Sequence, residues 1–226
     1  MTEPVLRTEG LAKDYGDQLG LDPTTLEVGR GELVLLVGPN GAGKSTFLGL
    51  CAGLLTPTGG DAWVCGAEVG SQAARASTSV VPDDPVLYDD LSVREHAEYV
   101  ARLHQMDEWS GLTEHLLERL DLAARGDDLP SRFSRGLRQK TSLLLGLLRP
   151  ADLLLVDEPF VGFDAPGQAT LVELLEEAVA GGVTAIVSSH QLDLADRASR
   201  CIGLRDGEVV HDGEAGRDVV RSLTGG

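Results

Sequence analysis

Apolar residues along this chain fall into short continuous runs, separated by segments in which they recur every three or four positions. Residues 34–37, 79–81, 153–156 and 183–189 are runs of the kind that form strands covered on both faces. Helical spacing appears in Phe47, Leu48, Leu50 and Leu54, in Val93, Ala97, Val100 and Leu103, over 112–122, over about 137–148, and in Leu171, Leu174, Leu175 and Ala178. Ser92 followed by Glu95 predicts a capping box, and Gly181 with Gly182 stops the helix that starts near Asp164. Strands alternating with helices predict an α/β domain. Residues 5–7 and 26–28 read as short strands around a turn-rich stretch, 11–24. Gly59 and Gly60 read as a hairpin-type connection before a strand at 62–65, and Asp206-Gly207 marks a second hairpin. From 91 to 125 the pattern turns helical, which predicts a lobe interrupting the sheet-forming chain. There is no internal repeat, low-complexity tract or linker.

The first core strand runs into ELVLLVGPNGAGKST, residues 32–46, where Gly38, Gly43, Lys44 and Ser45 satisfy G-x-x-x-x-G-K-[ST]. The glycines let the backbone curl so that successive N–H groups point at anionic oxygens, at the positive end of a helix. A nucleoside triphosphate there would have Lys44 on its β- and γ-phosphates and the Ser45 hydroxyl on Mg²⁺.

Composition narrows the partners. Lys and Arg number 19 against 36 Asp and Glu, a formal charge of −17, which disfavours nucleic acid. The N-terminus lacks a signal-peptide pattern and no apolar run reaches membrane-spanning length, so the expectation is a soluble chain. Cys51, Cys65 and Cys201 are odd in number and lack metal-ligand spacing, which suits reduced, inert thiols in a cytoplasmic protein.

Several polar groups sit where the predicted strands end. The run at 153–156 terminates in Asp157 and Glu158. Beside a phosphate loop, Asp157 is suited to hold Mg²⁺ and Glu158 to orient and deprotonate an attacking water. His190 ends the strand at 183–189, at the same sheet edge, where an imidazole could hydrogen-bond a γ-phosphate. Asp83 lies in Pro82-Asp83-Asp84-Pro85, which reads more commonly as a solvated acidic turn than as part of a cleft. Ser134 and Gly136 open the helix at 137–148, either as an ordinary cap or as a second anion-ready helix start. Tyr15 reads equally as a half-buried surface aromatic and as a platform for an adenine ring.

The order of these features, from about residue 5 to residue 213, resembles the nucleotide-binding subunit of ATP-binding cassette (ABC) transporters. The resemblance implies a P-loop NTPase fold of the ABC ATPase type: a mixed central sheet, an N-terminal antiparallel β-subdomain and a helical lobe at about 88–148, within a single domain over 1–226. It implies that Tyr15 stacks on adenine and that 38–46, including Asn40, Gly41, Ala42 and Thr46, is the Walker A loop. Asp157 and Glu158 become the Walker B pair, Asp164 the D-loop acid and His190 the switch histidine. Two positions depart from the family pattern. Phe133-Ser134-Arg135-Gly136-Leu137 stands where L-S-G-G-Q is common, a variant that looks like the ABC-2 type exporters with separate permeases. Asp83 stands in the Q-loop slot, where Gln or Glu is usual, and could still meet Mg²⁺ or water. The implied mechanism is a head-to-tail homodimer or heterodimer sandwiching two ATP molecules, with Ser134 and Gly136 of one copy completing the other's site. Such a pair would drive a transmembrane permease from the cytoplasmic face. The alternatives are a non-transport ABC ATPase and a weakly hydrolysing regulatory subunit.

Overall fold

Strand β3 (Leu33–Val37) is buried throughout, and its alternating side chains serve two separate cores. Val34 and Leu36 face one, Leu33, Leu35 and Val37 the other, as expected of a strand covered on both faces. The computed structural model describes residues 3–16 and 19–224. In chain order these form β1 (Leu6–Asp14), β2 (Leu19–Val28), β3, α1 (Lys44–Cys51), β4 (Gly59–Val64), β5 (Ala67–Glu68), α2 (Gln72–Ala76) and β6 (Thr78–Val81). There follow α3 (Val93–Leu103), α4 (Ser110–Arg119), α5 (Arg135–Leu148), β7 (Leu153–Asp157), α6 (Ala165–Ala180), β8 (Thr184–Ser188), α7 (Leu192–Ala195), β9 (Arg200–Arg205), β10 (Glu208–Gly213) and α8 (Arg217–Thr224).

Two sheets result. The larger has the order β10-β9-β3-β8-β7-β6, parallel from β9 to β6 with β10 antiparallel at its edge. The smaller, β2-β1-β4-β5, is antiparallel. One core lies between the smaller sheet, α1 and one face of the larger sheet, and includes Leu6, Leu21, Phe47, Leu155 and Ile186. The other packs α3, α4, α5 and α6 against the opposite face through Ala97, Leu117, Leu143, Leu144, Leu171 and Leu175. The parallel arrangement puts the carboxyl ends of β3, β6, β7 and β8 at one edge, where ligands of open α/β sheets bind.

The structure departs from the sequence pattern in four places. Residues 11–14 and 19–24 belong to two long strands, not to a turn; Asp17 and Gln18 lie outside the described residues. The register of β1 against β2 is irregular there, shifting between Thr8 and Leu11, between Leu11 and Lys13 and between Lys13 and Asp14. Gly59 and Gly60 lie inside β4, and Gly60, at φ +68°, sits so close to the Gly10 carbonyl that a Cβ would fall 2.1 Å from its oxygen. Leu54 lies beyond α1 and is exposed, because the helix ends at Cys51. The buried face of α3 is Val93, His96, Ala97 and Ala101, while Leu103 points outward. The predicted capping box at Ser92 and Glu95 is present.

Candidate nucleotide site

At the carboxyl end of β3 the chain turns through Gly38–Gly43 into α1. Gly43 is the N-cap, at φ 104°, and no side chain caps the helix, which leaves its first N–H groups for an anion. Gly38 and Gly43 are needed for close approach: a Cβ on the first would fall 2.2 Å from the Leu204 carbonyl oxygen, and on the second 2.6 Å from that of Gly20. The loop floors a cleft of about 360 Å³ lined by Tyr15, Gly20, Asn40, Gly41, Ala42, Gly43, Lys44, Ser45, Thr46, Asp83 and Glu158. Tyr15 is half-exposed on the rim, with the Lys13 ammonium 5.3 Å from its ring centre.

Three charged or titratable groups converge at the cleft's inner end. The Lys44 ammonium is buried, donates to the Gly38 carbonyl at 2.7 Å and lies 3.5 Å from Glu158 Oε1. His190 Nε2 is 3.3 Å from the same oxygen. Desolvation raises the Glu158 pKa above the ordinary carboxylate value; His190 and Lys44 oppose that shift and Asp157 adds to it. A carboxylate poised in this way is a better proton acceptor than a free one. Its backbone sits at φ 41°, in the left-handed region that non-glycine residues seldom occupy.

A glycine-rich loop without a side-chain cap, a buried lysine at its exit, and a glutamate that meets both that lysine and a histidine are groups suited to phosphoryl transfer. The ABC transporter family profile matches residues 21–161, more than half of the chain. The chain belongs to the ABC transporter family. It is 32% identical over 211 residues to the SkfA peptide export ATP-binding protein SkfE of Bacillus subtilis, covering 92% of this chain and 88% of that one. It is also 32% identical to the daunorubicin resistance ATP-binding protein DrrA3 of Streptomyces coeruleorubidus, over 100% of this chain and 72% of the relative. A solved ATP-binding subunit of an ABC transporter superposes with a TM-score of 0.87 at 32% identity, covering 98% of this chain and 95% of the other. Within the family this ABC cassette is an ATP-binding, ATP-hydrolysing subunit.

The cassette brings some of the residues singled out in its sequence together and leaves others apart. Tyr15, the Walker A loop, Asp83 and Glu158 share the cleft, and His190 reaches it through Glu158. Ser134, Gly136 and Asp164 do not line it. Ser134 caps α5 by accepting from the Leu137 amide at 3.3 Å, and Asp164 caps α6 by accepting from Gly167 at 3.0 Å. Gly136 abuts Gly162: a Cβ on Gly136 would lie 2.9 Å from the Gly162 carbonyl oxygen. Among the described residues no three or more His, Cys, Asp or Glu side chains form a metal cage. The oxygens on offer to Mg²⁺ are those of Ser45 and Asp83, which line the cleft, and of Asp157, which ends β7 next to Glu158 but does not itself line the cleft; oxygen-only donors suit that ion.

The two departures from the family pattern touch each other. Arg135 donates to Asp83 Oδ1 at 2.9 Å, so the Q-loop acid already has a cation partner. Arg138 donates to the Pro85 carbonyl at 3.1 Å and Gln139 to that of Pro82 at 3.4 Å. One face of α5 thus grips 82–85, a contact that sequence reasoning missed. Ser188 was missed as well. Both join residues about 30 or more positions apart, and no motif announces either.

Proposed function

We propose that this chain is the ATPase subunit of an exporter, working as a head-to-tail pair around two MgATP beneath a separately encoded permease. The observation that carries the catalytic part is the convergence of Lys44 and His190 on Glu158 at the end of the Walker A cleft. ATP enters with its phosphates over the loop N–H groups and its base against Tyr15. Glu158 takes a proton from the attacking water, and the bond between the γ-phosphorus and its bridging oxygen breaks toward ADP. Lys44 and His190 hold the negative charge on the transferring group. Ser45 and Asp157 would hold Mg²⁺, which would neutralise phosphate charge; Asp83, the third candidate ligand, is engaged by Arg135.

Pairing is supported by where Ser134, Gly136 and Asp164 sit: off the cleft of their own chain, at the starts of α5 and α6, with the α5 start half-exposed. A second copy, identical or related, can bring them to the open side of the cleft. The exporter role is supported by relatives named for peptide export and drug resistance. The separate permease is carried over from those relatives, which are named as ATP-binding proteins; among the described residues no helix is long and apolar enough to cross a membrane. We read 1–226 as one ATPase domain in which about 88–148 is a lobe, acting at the cytoplasmic face without nucleic acid. In Glu158→Gln protein, ATP binding should persist within a few-fold while hydrolysis falls about 10²–10⁴-fold, the usual contribution of a general base. Wild-type turnover in that variant would contradict the catalytic assignment.

A further inference from the structure

Asp157 and Glu158 are adjacent carboxylates at the end of a buried strand, and such groups need fixed partners to hold distinct orientations. The pairing of β7 with β8 places Ser188 directly beside Asp157. Ser188 is fully buried and contacts both residues of the acidic pair. Its hydroxyl donates to Asp157 Oδ1 and accepts from the Glu158 amide at 2.9 Å. The Glu158 amide is also 3.1 Å from the Ser188 carbonyl oxygen, so both polar groups of this serine hold the φ 41° turn on which the Glu158 side chain is mounted.

A hydroxyl is the smallest group that can do both: it has one proton to give and lone pairs to accept with. The donated bond is charge-assisted and fixes the rotation of the Asp157 carboxylate, with Oδ1 occupied and Oδ2 free of hydrogen bonds among the described residues. The accepted bond fixes the Glu158 amide, and through it the direction in which the Glu158 carboxylate meets Lys44 and His190. The backbone carbonyl of Ser188 survives any substitution; the hydroxyl does not.

We propose that Ser188 is a positioning residue for ATP hydrolysis, one hydroxyl setting both the metal-facing orientation of Asp157 and the base-forming turn at Glu158. This rests on the reading of Asp157 as a Mg²⁺ ligand given above. Partners that orient a metal ligand from behind typically contribute 10–100-fold to metal affinity or activity. For Ser188→Ala, the Mg²⁺ concentration that half-saturates the metal-dependent part of fluorescent ATP-analogue binding should therefore rise about 10–100-fold. Its kcat should fall by a similar factor with little change in KM for ATP, while analogue affinity without metal stays at the wild-type value. Ser188→Thr, which keeps the hydroxyl, should behave as wild type in all three respects. A Ser188→Ala protein with wild-type Mg²⁺ dependence and kcat overturns the proposal. So does one whose metal-free affinity falls as far as its metal-dependent affinity, since that is general loss of the site. Asp157→Asn separates the two levels of failure: no change in its Mg²⁺ dependence removes the metal role of Asp157 and the Ser188 proposal with it. A change in Asp157→Asn without one in Ser188→Ala removes Ser188 alone.

Discussion

Glu158 carries two demands that conflict. Burial raises its pKa, so the charged form is held against a desolvation cost that Lys44 and His190 only partly offset. Because the folded pKa lies above the unfolded one, the cost is absent below the ordinary carboxylate pKa and grows as pH rises through the folded value. Melting temperatures of nucleotide-free wild type and Glu158→Gln should therefore diverge in favour of the variant as pH rises above the ordinary carboxylate value. A gap that stays constant or reverses would mean that Glu158 ionises without cost. Its place at the cleft was legible from the sequence because Asp-Glu follows an apolar run downstream of a phosphate loop. The contribution of Ser188 was not, since a serine two residues before His190 carries no signal until β7 and β8 are paired in register.

Three helix starts were legible because a cap is written into the sequence, whereas the Ser71 cap of α2 went unread. Ser92, Ser134 and Asp164 each cap the predicted helix with a side-chain oxygen. The full length of β1 and β2 was hidden because their pairing is irregular and turn-type residues run through both. The grip of α5 on the sheet edge was equally hidden. Gly146 is the contact point: its carbonyl accepts from the Ser79 hydroxyl at 2.8 Å, and a Cβ there would fall 2.3 Å from Val81 Cγ2. Val81 is fully buried and has little room to yield. Gly146→Ala should cost about 1–3 kcal/mol of stability in chemical denaturation despite the helix propensity it gains, as overpacked cores do. A variant as stable as wild type would show that α5 is not seated tightly on β6.

For the whole molecule, net charge works against the proposed pairing. Each chain carries a formal charge of −17, so two copies repel until salt screens them or bound nucleotide and cation bridge the interface. Ser134 and Gly136 lie outside the cleft in their own chain. The central claim is that the Walker A cleft is half of a catalytic site. It is tested most directly by the initial rate of ATP hydrolysis as a function of protein concentration, at saturating MgATP and an ionic strength high enough to screen the repulsion. A rate that climbs more steeply than the first power of concentration, becoming linear only once pairs dominate, is the predicted result. A rate strictly proportional to concentration across a range in which sedimentation shows monomers giving way to dimers would contradict it.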